Sequence, residues 1–123
     1  MGNEKQVNSF RDLIAWPKGM DLVCETYRLT RQLPVEERYG LCSQMRRCAT
    51  SIPANVSEGW GRETTKDYLR FLHIARGSAV ELITHTEICH RLEFGNDWQV
   101  IIDSAEELIR ILNGLIRSLR NRR

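Results

Sequence analysis

The sequence lacks any apolar run long enough to span a membrane. Its 123 residues are 41% hydrophobic and 28% charged, and no stretch approaches the roughly 20 consecutive apolar residues that cross a bilayer. The opening segment MGNEKQVNSF also lacks the apolar core of a signal peptide. We therefore expect a cytoplasmic protein with no membrane role, long enough to fold as a single domain around its own core.

Closely spaced cysteine pairs are missing as well. The chain has four cysteines, Cys24, Cys42, Cys48 and Cys89, and none of them forms a C-x-x-C motif. Without a secretion signal a disulfide framework is not expected. Each cysteine lies among apolar residues with helical spacing, where a reduced thiol packs as a small hydrophobic group. We predict that all four belong to the core.

No segment alternates apolar and polar residues in the way that indicates a strand. The apolar periods instead predict four helices with short connections, which is typical of an antiparallel up-down four-helix bundle. We expect one domain over residues 1–123, with a core from 10 to 119 and frayed ends. Helix 1 is predicted to start near Trp16, with Leu22, Leu29 and Leu33 beside an apolar stripe that consists of Met20, Val23, Tyr27 and Thr30. Asn96 is predicted to cap helix 4.

Helix 3 is predicted to begin after Thr64, whose hydroxyl can act as an N-cap. Besides its main apolar face, the helix has a second, partly apolar face, which consists of Phe71, Ile74, Ser78 and Ile88. A helix of a monomeric bundle needs only one such stripe, so the second face favours burial against another subunit.

The segment SIPANVSEGWGR, residues 51–62, resembles at first sight a glycine-rich phosphate loop. Its glycines do not have the spacing of such a loop, and no strand precedes them. The apolar stripe of helix 2 passes Pro53 without a change of phase, which predicts a kinked but continuous helix. We expect Gly59 and Gly61 to end that helix with positive φ angles, and Glu58 to pair with Arg62 across the turn.

No group of residues indicates an active site. Glu87 and His90 match one half of a di-iron motif, but the second half is missing, and His73 and His85 share helix 3 with His90. Ligands from one helix cannot surround a metal ion, and no nucleophile–base pair follows from the spacing. We therefore expect no enzyme activity, no metal and no cofactor, with a metal-dependent bundle enzyme as the alternative.

Four segments together resemble the four-helix bundle family of proteins encoded in intervening sequences of bacterial 23S rRNA genes. They are similar also to the accessory variability proteins of diversity-generating retroelements. The segments are DLIAW followed by Lys18, EERYGLCSQMRRCATSIPANVSEGWGR, DYLRFLHIARGSAVEL and LNGLIRSL. The resemblance covers nearly the whole chain, and its specific residues keep a fixed spacing: Gly40, Leu41, Gln44, Arg46, Arg47, Ser51, Ile52, Pro53, Asn55, Glu58, Gly59, Gly61 and Arg62.

The sequence departs from the family at Pro17 and Gly19, where glutamine and alanine are usual. We therefore expect helix 1 to start late or to be weak in its first turn. The resemblance implies a ring-like homo-oligomer, a pentamer, without catalytic residues. For the retroelement branch it also implies a basic surface that binds nucleic acid and a reverse transcriptase.

The chain has basic residues that could form such a surface: Arg46, Arg47, Arg62, Arg117, Arg120, Arg122 and Arg123. The net charge is only +2, but a ring of copies would multiply a modest patch. No aromatic cluster marks a base-stacking surface, so binding would be electrostatic. We expect a non-enzymatic scaffold that binds RNA or DNA. The alternative is a protein–protein interaction adaptor whose arginines form salt bridges between subunits.

Overall fold

The computed structural model describes residues 7–122, and in that range it contains helices and no strand. Its four α-helices are α1 (Ala15–Thr30), α2 (Leu41–Trp60), α3 (Thr65–Arg91) and α4 (Trp98–Asn121). Short 3₁₀ turns at Phe10–Asp12 and Val35–Glu37 precede α1 and α2. The prediction of four helices is confirmed. Fraying is predicted outside residues 10–119; residues 1–6 and 123 of these ends lie outside the described residues, and α4 continues past 119 to Asn121.

The four helices surround one hydrophobic core. Both α1 and α3 pack against α2 and α4, which is the neighbour pattern of a four-helix bundle. Each large apolar side chain removed from water stabilises the fold by about 1.5–3 kcal/mol. The largest fully buried apolar side chains come from all four helices: Trp98, Leu22, Met45, Ile52, Leu72, Leu82, Ile101, Leu108 and Leu112. No helix within residues 7–122 combines the length and the apolar composition that crossing a bilayer requires.

The buried face of α1 differs from the predicted one. Met20 and Tyr27 are both 39% exposed, whereas Leu22 and Thr26 are buried. The Thr26 hydroxyl donates a hydrogen bond of 2.7 Å to the carbonyl oxygen of Leu22, so this hydroxyl is satisfied inside the core. The predicted stripe is therefore correct at Thr30, which is buried, and wrong at Met20 and Tyr27, while Leu22 and Leu29 beside the stripe are buried.

The first turn of α1 is intact in spite of the two family departures. The helix begins at Ala15, so the expected late start is wrong, and Pro17 lies in the first turn, where its missing N–H removes no helical bond. Gly19 is buried against α2. A Cβ atom at position 19 would lie 3.3 Å from the Cβ of Pro53, which is tighter than ordinary van der Waals contact. Gly19 and Pro53 are thus matched in shape.

Helix α2 continues through Pro53 without interruption, as predicted; the bend itself stays a prediction. The neighbouring polar residues connect α2 to α3. The Asn55 amide donates to the carbonyl oxygen of Ser51 at 2.7 Å and to its hydroxyl at 2.9 Å. That hydroxyl lies 2.8 Å from the hydroxyl of Ser78 on α3. The polar positions of this segment therefore form a hydrogen-bonded crosslink between two helices.

The positive φ angles predicted for Gly59 and Gly61 are wrong. Gly59 lies inside α2 and is buried, and Gly61 has a φ of −81°. Within residues 7–122 the glycine with positive φ is Gly95, at 104° in the α3–α4 loop. A Cβ atom at Gly59 would lie 2.8 Å from the Cβ of Phe71 and 3.1 Å from Cδ1 of Tyr68. Glycine is needed at position 59 because α2 and α3 approach each other closely there, and not because the chain turns.

The predicted cap of α3 is confirmed, because the Thr64 hydroxyl accepts the backbone N–H of Asp67 at 3.1 Å. The predicted cap of α4 is wrong: the N-cap residue is Asp97, with a φ of 70° and no side-chain capping bond. The backbone of Asn96 is held instead by Gln32, two residues after the end of α1. Its N–H donates to Oε1 of Gln32 at 2.8 Å, and Nε2 of Gln32 donates to the Asn96 carbonyl oxygen at 3.0 Å.

The four cysteines are free thiols, as predicted, but they do not all lie in the core. Cys48 and Cys89 are buried, Cys42 is half-buried, and Cys24 is exposed. Cys24 lies two residues from both Leu22 and Thr26, which places it off the buried face of α1.

Candidate functional site

Two of the arginines predicted to bind nucleic acid have partners within the chain. Nε of Arg46 donates to the Thr30 hydroxyl at 3.0 Å, and its guanidinium lies 4.4 Å from the ring centroid of Tyr27. Arg46 is therefore partly buried and packs α2 against α1. The expected pair between Arg62 and Glu58 is present at 2.7 Å. Both side chains have reduced freedom to bind an external phosphate.

The remaining predicted arginines are exposed where they are described. Arg47 lies on α2, and Arg117, Arg120 and Arg122 lie at the end of α4. Arg123 lies outside the described residues. The structure thus separates Arg47 from the α4 arginines by placing them on different helices, and it brings the α4 group next to two residues that were not in the predicted set.

These two residues are His73 and Arg76 on α3. With Arg117 and Arg120 on α4 they form what we term the arginine–histidine cluster. Nη2 of Arg76 lies 2.9 Å from Nδ1 of His73, and Nη2 of Arg120 lies 3.1 Å from Nε2 of the same ring. Nη1 of Arg76 donates to Oδ1 of Asn113 at 2.7 Å. One imidazole therefore has a guanidinium at each of its nitrogens.

This arrangement brings two hydrogen-bond donors together at one nitrogen of the His73 ring. An arginine side chain only donates hydrogen bonds, and a neutral imidazole has one accepting nitrogen and one N–H. If Nδ1 accepts from Arg76, then the Nε2–H of His73 faces the N–H groups of Arg120. Two donors at an exposed position could both be satisfied by one anionic acceptor, such as a phosphate oxygen.

The charge state of His73 follows from its surroundings. Burial, followed by the positive charges of Arg76 and Arg120, lowers the pKa of His73 below its ordinary value. The ring is therefore neutral at physiological pH, and the cluster owes its positive charge to the arginines. The cavity beside it has a volume of about 300 Å³ and is lined by Arg76, Asn113, Ile116, Arg117, Arg120 and Asn121.

A weak sequence signal for the cluster existed but could not have been decisive. His73 and Arg76 are three residues apart, which places them on one face of a helix. Their meeting with Arg120 depends on how α3 packs on α4, across 47 residues of sequence. The spacing of residues in the sequence does not determine how α3 and α4 are aligned with each other.

A second group of chemically active side chains lies between α2 and α3. The thiol of Cys48, the carboxylate of Glu81 and the imidazole of His85 have donor atoms within 4.8 Å of one another. Burial, and then the hydrogen bond to Glu81, raises the pKa of Cys48 to about 12. The hydrogen bond from His85 is the largest cause that lowers the pKa of Glu81. Cys48 is thus a protonated thiol at neutral pH and not an activated nucleophile.

The metal motif considered in the sequence does not coincide with this group. Glu87 and His90 are both exposed on α3. Among residues 7–122, the group of three or more potential ligands is Cys48, Glu81 and His85, which takes one member from α2.

Comparison with known proteins agrees with the fold. The chain is similar to a crystal structure from Bacteroides thetaiotaomicron VPI-5482, described as a protein of unknown function from the S23 ribosomal protein family. The identity is 23%, the TM-score is 0.77, and the match covers 85% of this chain and 96% of that one. No curated protein matches the sequence. The sequence model of the family described as 23S rRNA-intervening sequence protein matches residues 11–114. The chain therefore belongs to the family of 23S rRNA-intervening sequence proteins.

Proposed function

We propose that the protein is a non-enzymatic, oligomeric scaffold that binds nucleic acid through phosphate contacts at the arginine–histidine cluster. One observation carries the proposal. The guanidinium groups of Arg76 and Arg120 converge on an uncharged imidazole, and within residues 7–122 no carboxylate forms a salt bridge with Arg76, Arg117 or Arg120. Unpaired guanidinium groups around a cavity suit a phosphate diester, because they bind its oxygens without needing sequence information.

The family supports RNA as the first ligand to test, because its members are described by an intervening sequence of 23S rRNA. We place the protein in the cytoplasm, as an accessory either to such a sequence or to a retroelement and its reverse transcriptase. Among residues 7–122, no aromatic side chain lines the cavity of the arginine–histidine cluster, so recognition would depend on charge and shape and would be strongly sensitive to salt.

We also infer that successive helices run antiparallel in an up-down bundle and that copies of the chain form a ring, a pentamer by resemblance. Contacts between the end of α2 and the start of α3, at Gly59 and Phe71, support the antiparallel arrangement. Exposed apolar side chains support association: Ile14 is 65% and Val80 51% exposed. The second face of α3 supports it less than expected, because Phe71 is buried and Ser78 is hydrogen-bonded to α2.

The test is fluorescence anisotropy of labelled structured RNA and duplex DNA across a salt titration. We expect affinity to fall steeply with salt. In the double variant Arg117→Gln/Arg120→Gln, the magnitude of the slope of log affinity against log salt should decrease by roughly 1.4–1.8, because each lost phosphate contact removes roughly 0.7–0.9 from it. The charge-matched control is Arg31→Gln/Arg91→Gln, which removes two exposed arginines elsewhere and should leave the slope unchanged. Light scattering coupled to gel filtration checks assembly and counts the subunits.

Absence of binding at low salt would refute the nucleic-acid function. It would favour the adaptor alternative, in which the arginines pair with acidic groups of a protein. An equal loss in the two double variants would mean that only net charge matters and that the cluster is not the site.

A further inference from the structure

The group formed by Cys48, Glu81 and His85 shares no residue with the arginine–histidine cluster. It nevertheless brings three kinds of metal-binding side chain together, with all donor atoms within 4.8 Å of one another. Cys48 comes from α2, while Glu81 and His85 lie one turn apart on α3. Side chains four residues apart on a helix project from one face, which is the spacing that the two histidines of H-E-x-x-H motifs use to hold one zinc ion.

The distances between the ligand atoms lie on either side of those of a tetrahedral zinc site, from 3.1 Å to at most 4.8 Å. Bonds of 2.0–2.3 Å to sulfur, nitrogen and oxygen place the ligand atoms of a zinc site about 3.5 Å apart. Nε2 of His85 and Oε2 of Glu81 are already separated by only 3.1 Å. An ion between them would therefore require adjustment of side-chain torsions, with both helices left in place.

We propose that Cys48, Glu81 and His85 form a three-ligand site for a divalent transition-metal ion, with Zn²⁺ as the first candidate. Thiolate and imidazole favour Zn²⁺ and Co²⁺ over Mg²⁺ and Ca²⁺, which prefer oxygen ligands. The ion displaces one proton, that of the Cys48 thiol, because Glu81 is already ionised. The proton on Nε2 of His85 moves to Nδ1 of the same ring when Nε2 binds the ion.

Three protein ligands leave one position of the ion open. The cavity beside the site has a volume of about 230 Å³ and is lined by Gln44, Arg47, Cys48, Ser51, Ser78 and Glu81. A water molecule or a small anion can occupy the fourth position there, and the positive charge of Arg47 favours an anion. This open coordination differs from the closed ligand sets of structural zinc sites.

Nδ1 of His85 sets a limit on affinity. It is buried and has no hydrogen-bond partner in the described part of the chain. Metal-binding histidines normally donate that second N–H to an acceptor, and loss of the acceptor lowers metal affinity about 10–100-fold. The site should therefore bind zinc more weakly than sites in which every ligand is supported.

The test is titration of the full, metal-free, reduced protein with Co²⁺, followed by absorption spectroscopy. We expect one equivalent per chain to produce a thiolate-to-cobalt charge-transfer band, and Zn²⁺ to remove it. Cys48→Ser should abolish the band. Glu81→Gln, which changes an exposed carboxylate and should leave the fold intact, should weaken binding at least 10-fold.

Matched controls exist within the same chain. Cys24→Ser and His90→Gln change an exposed cysteine and an exposed histidine outside the group, and both variants should bind Co²⁺ like the original protein. Circular dichroism confirms that each variant is folded. The proposal is overturned if the original protein gives no charge-transfer band, or if the band survives Cys48→Ser. Neither outcome depends on nucleic-acid binding, so the two proposals fail separately.

Discussion

Replacing Gly59 by alanine adds one methyl group where α2 and α3 approach closely. That carbon would lie 2.8 Å from the Cβ of Phe71 and 3.2 Å from the carbonyl oxygen of Tyr68. Favourable carbon–carbon contacts are about 3.5–4.0 Å. A Cβ atom and a backbone carbonyl oxygen are fixed to the main chain, so neither can rotate away, and the helices themselves must separate.

The two opposing effects can be weighed. Alanine is favoured over glycine in a helix interior by about 1 kcal/mol, whereas overpacking a core costs about 1–3 kcal/mol. Because the blocked contacts involve the backbone, we take the upper part of that range and expect Gly59→Ala to lower the free energy of unfolding by about 1–2 kcal/mol. For a chain of this length, that lowers the melting temperature by roughly 3–8 °C.

Two other glycines serve as controls. A Cβ at Gly77 would meet nothing within 4 Å, so Gly77→Ala should raise stability by about 0.5–1 kcal/mol. Gly61 has negative φ and only ordinary contacts, so Gly61→Ala should not be destabilising. Urea unfolding followed by far-UV circular dichroism, at two protein concentrations because association affects stability, measures all three. If Gly59→Ala were as stable as Gly77→Ala, the close-approach explanation would be refuted. A marked loss in Gly61→Ala would restore the turn interpretation.

Three further predictions concern other parts of the bundle. Exposed Cys24 should react with a thiol reagent much faster than buried Cys89, because burial raises the pKa of the Cys89 thiol to about 11. Mass spectrometry of the labelled peptides measures both rates, and similar rates would contradict the prediction. The pKa of His73 is lowered on folding, so the unfolded state binds more protons, and stability should fall as the pH drops through about 6.5 towards the lower folded value. Melting curves of His73→Gln should lack that part of the pH dependence. If the variant and the original protein lost stability equally over this pH range, His73 would not be its source. Gln32→Ala removes both bonds to Asn96 and should cost about 1–2 kcal/mol in urea unfolding, a loss that Arg31→Ala should not reproduce.

The parts of the fold that could be predicted are those decided by local pattern. The apolar period of α4 is nearly unbroken, and the unchanged phase across Pro53 places that proline inside α2. The Thr64 cap depends on a hydroxyl three residues before the N–H that it accepts. Each of these features is complete within a few turns of one helix.

The parts that could not be predicted depend on packing between helices. Glycine serves both for turns and for close approach, and only the position of Phe71 shows that Gly59 serves the second purpose. Similarly, Asn96 has the residue type of a cap, but its backbone binds Gln32 from another part of the chain. Residue type at these positions allows several roles, and the tertiary neighbours select one.

The candidate sites depend even more than the fold on packing between helices, which the sequence does not reveal. The sequence could supply a list of arginines, but it could not separate Arg46, which lies on the Tyr27 ring, from Arg120, which lies beside His73. Every sequence-based argument about histidine considered α3 alone. Cys48 is buried in the core, as predicted, but its place beside Glu81 and His85 could not be foreseen, because a buried cysteine and a metal-binding cysteine have the same apolar neighbours in the sequence.

The pair of hydrogen bonds between Gln32 and the Asn96 backbone has a consequence for the order of folding. These residues are 64 positions apart, so the bonds form only after a long loop has closed, whereas Gly59 and Phe71 are brought together by the short α2–α3 connection. We expect the α2–α3 contact to be formed in the folding transition state and the Gln32 contact to form after it. Loss of the Gln32 contact would then mainly accelerate unfolding, and disruption at Gly59 would mainly slow folding. The two Gln32 hydrogen bonds would thus lengthen the lifetime of the folded bundle by slowing its unfolding, without changing how fast it folds.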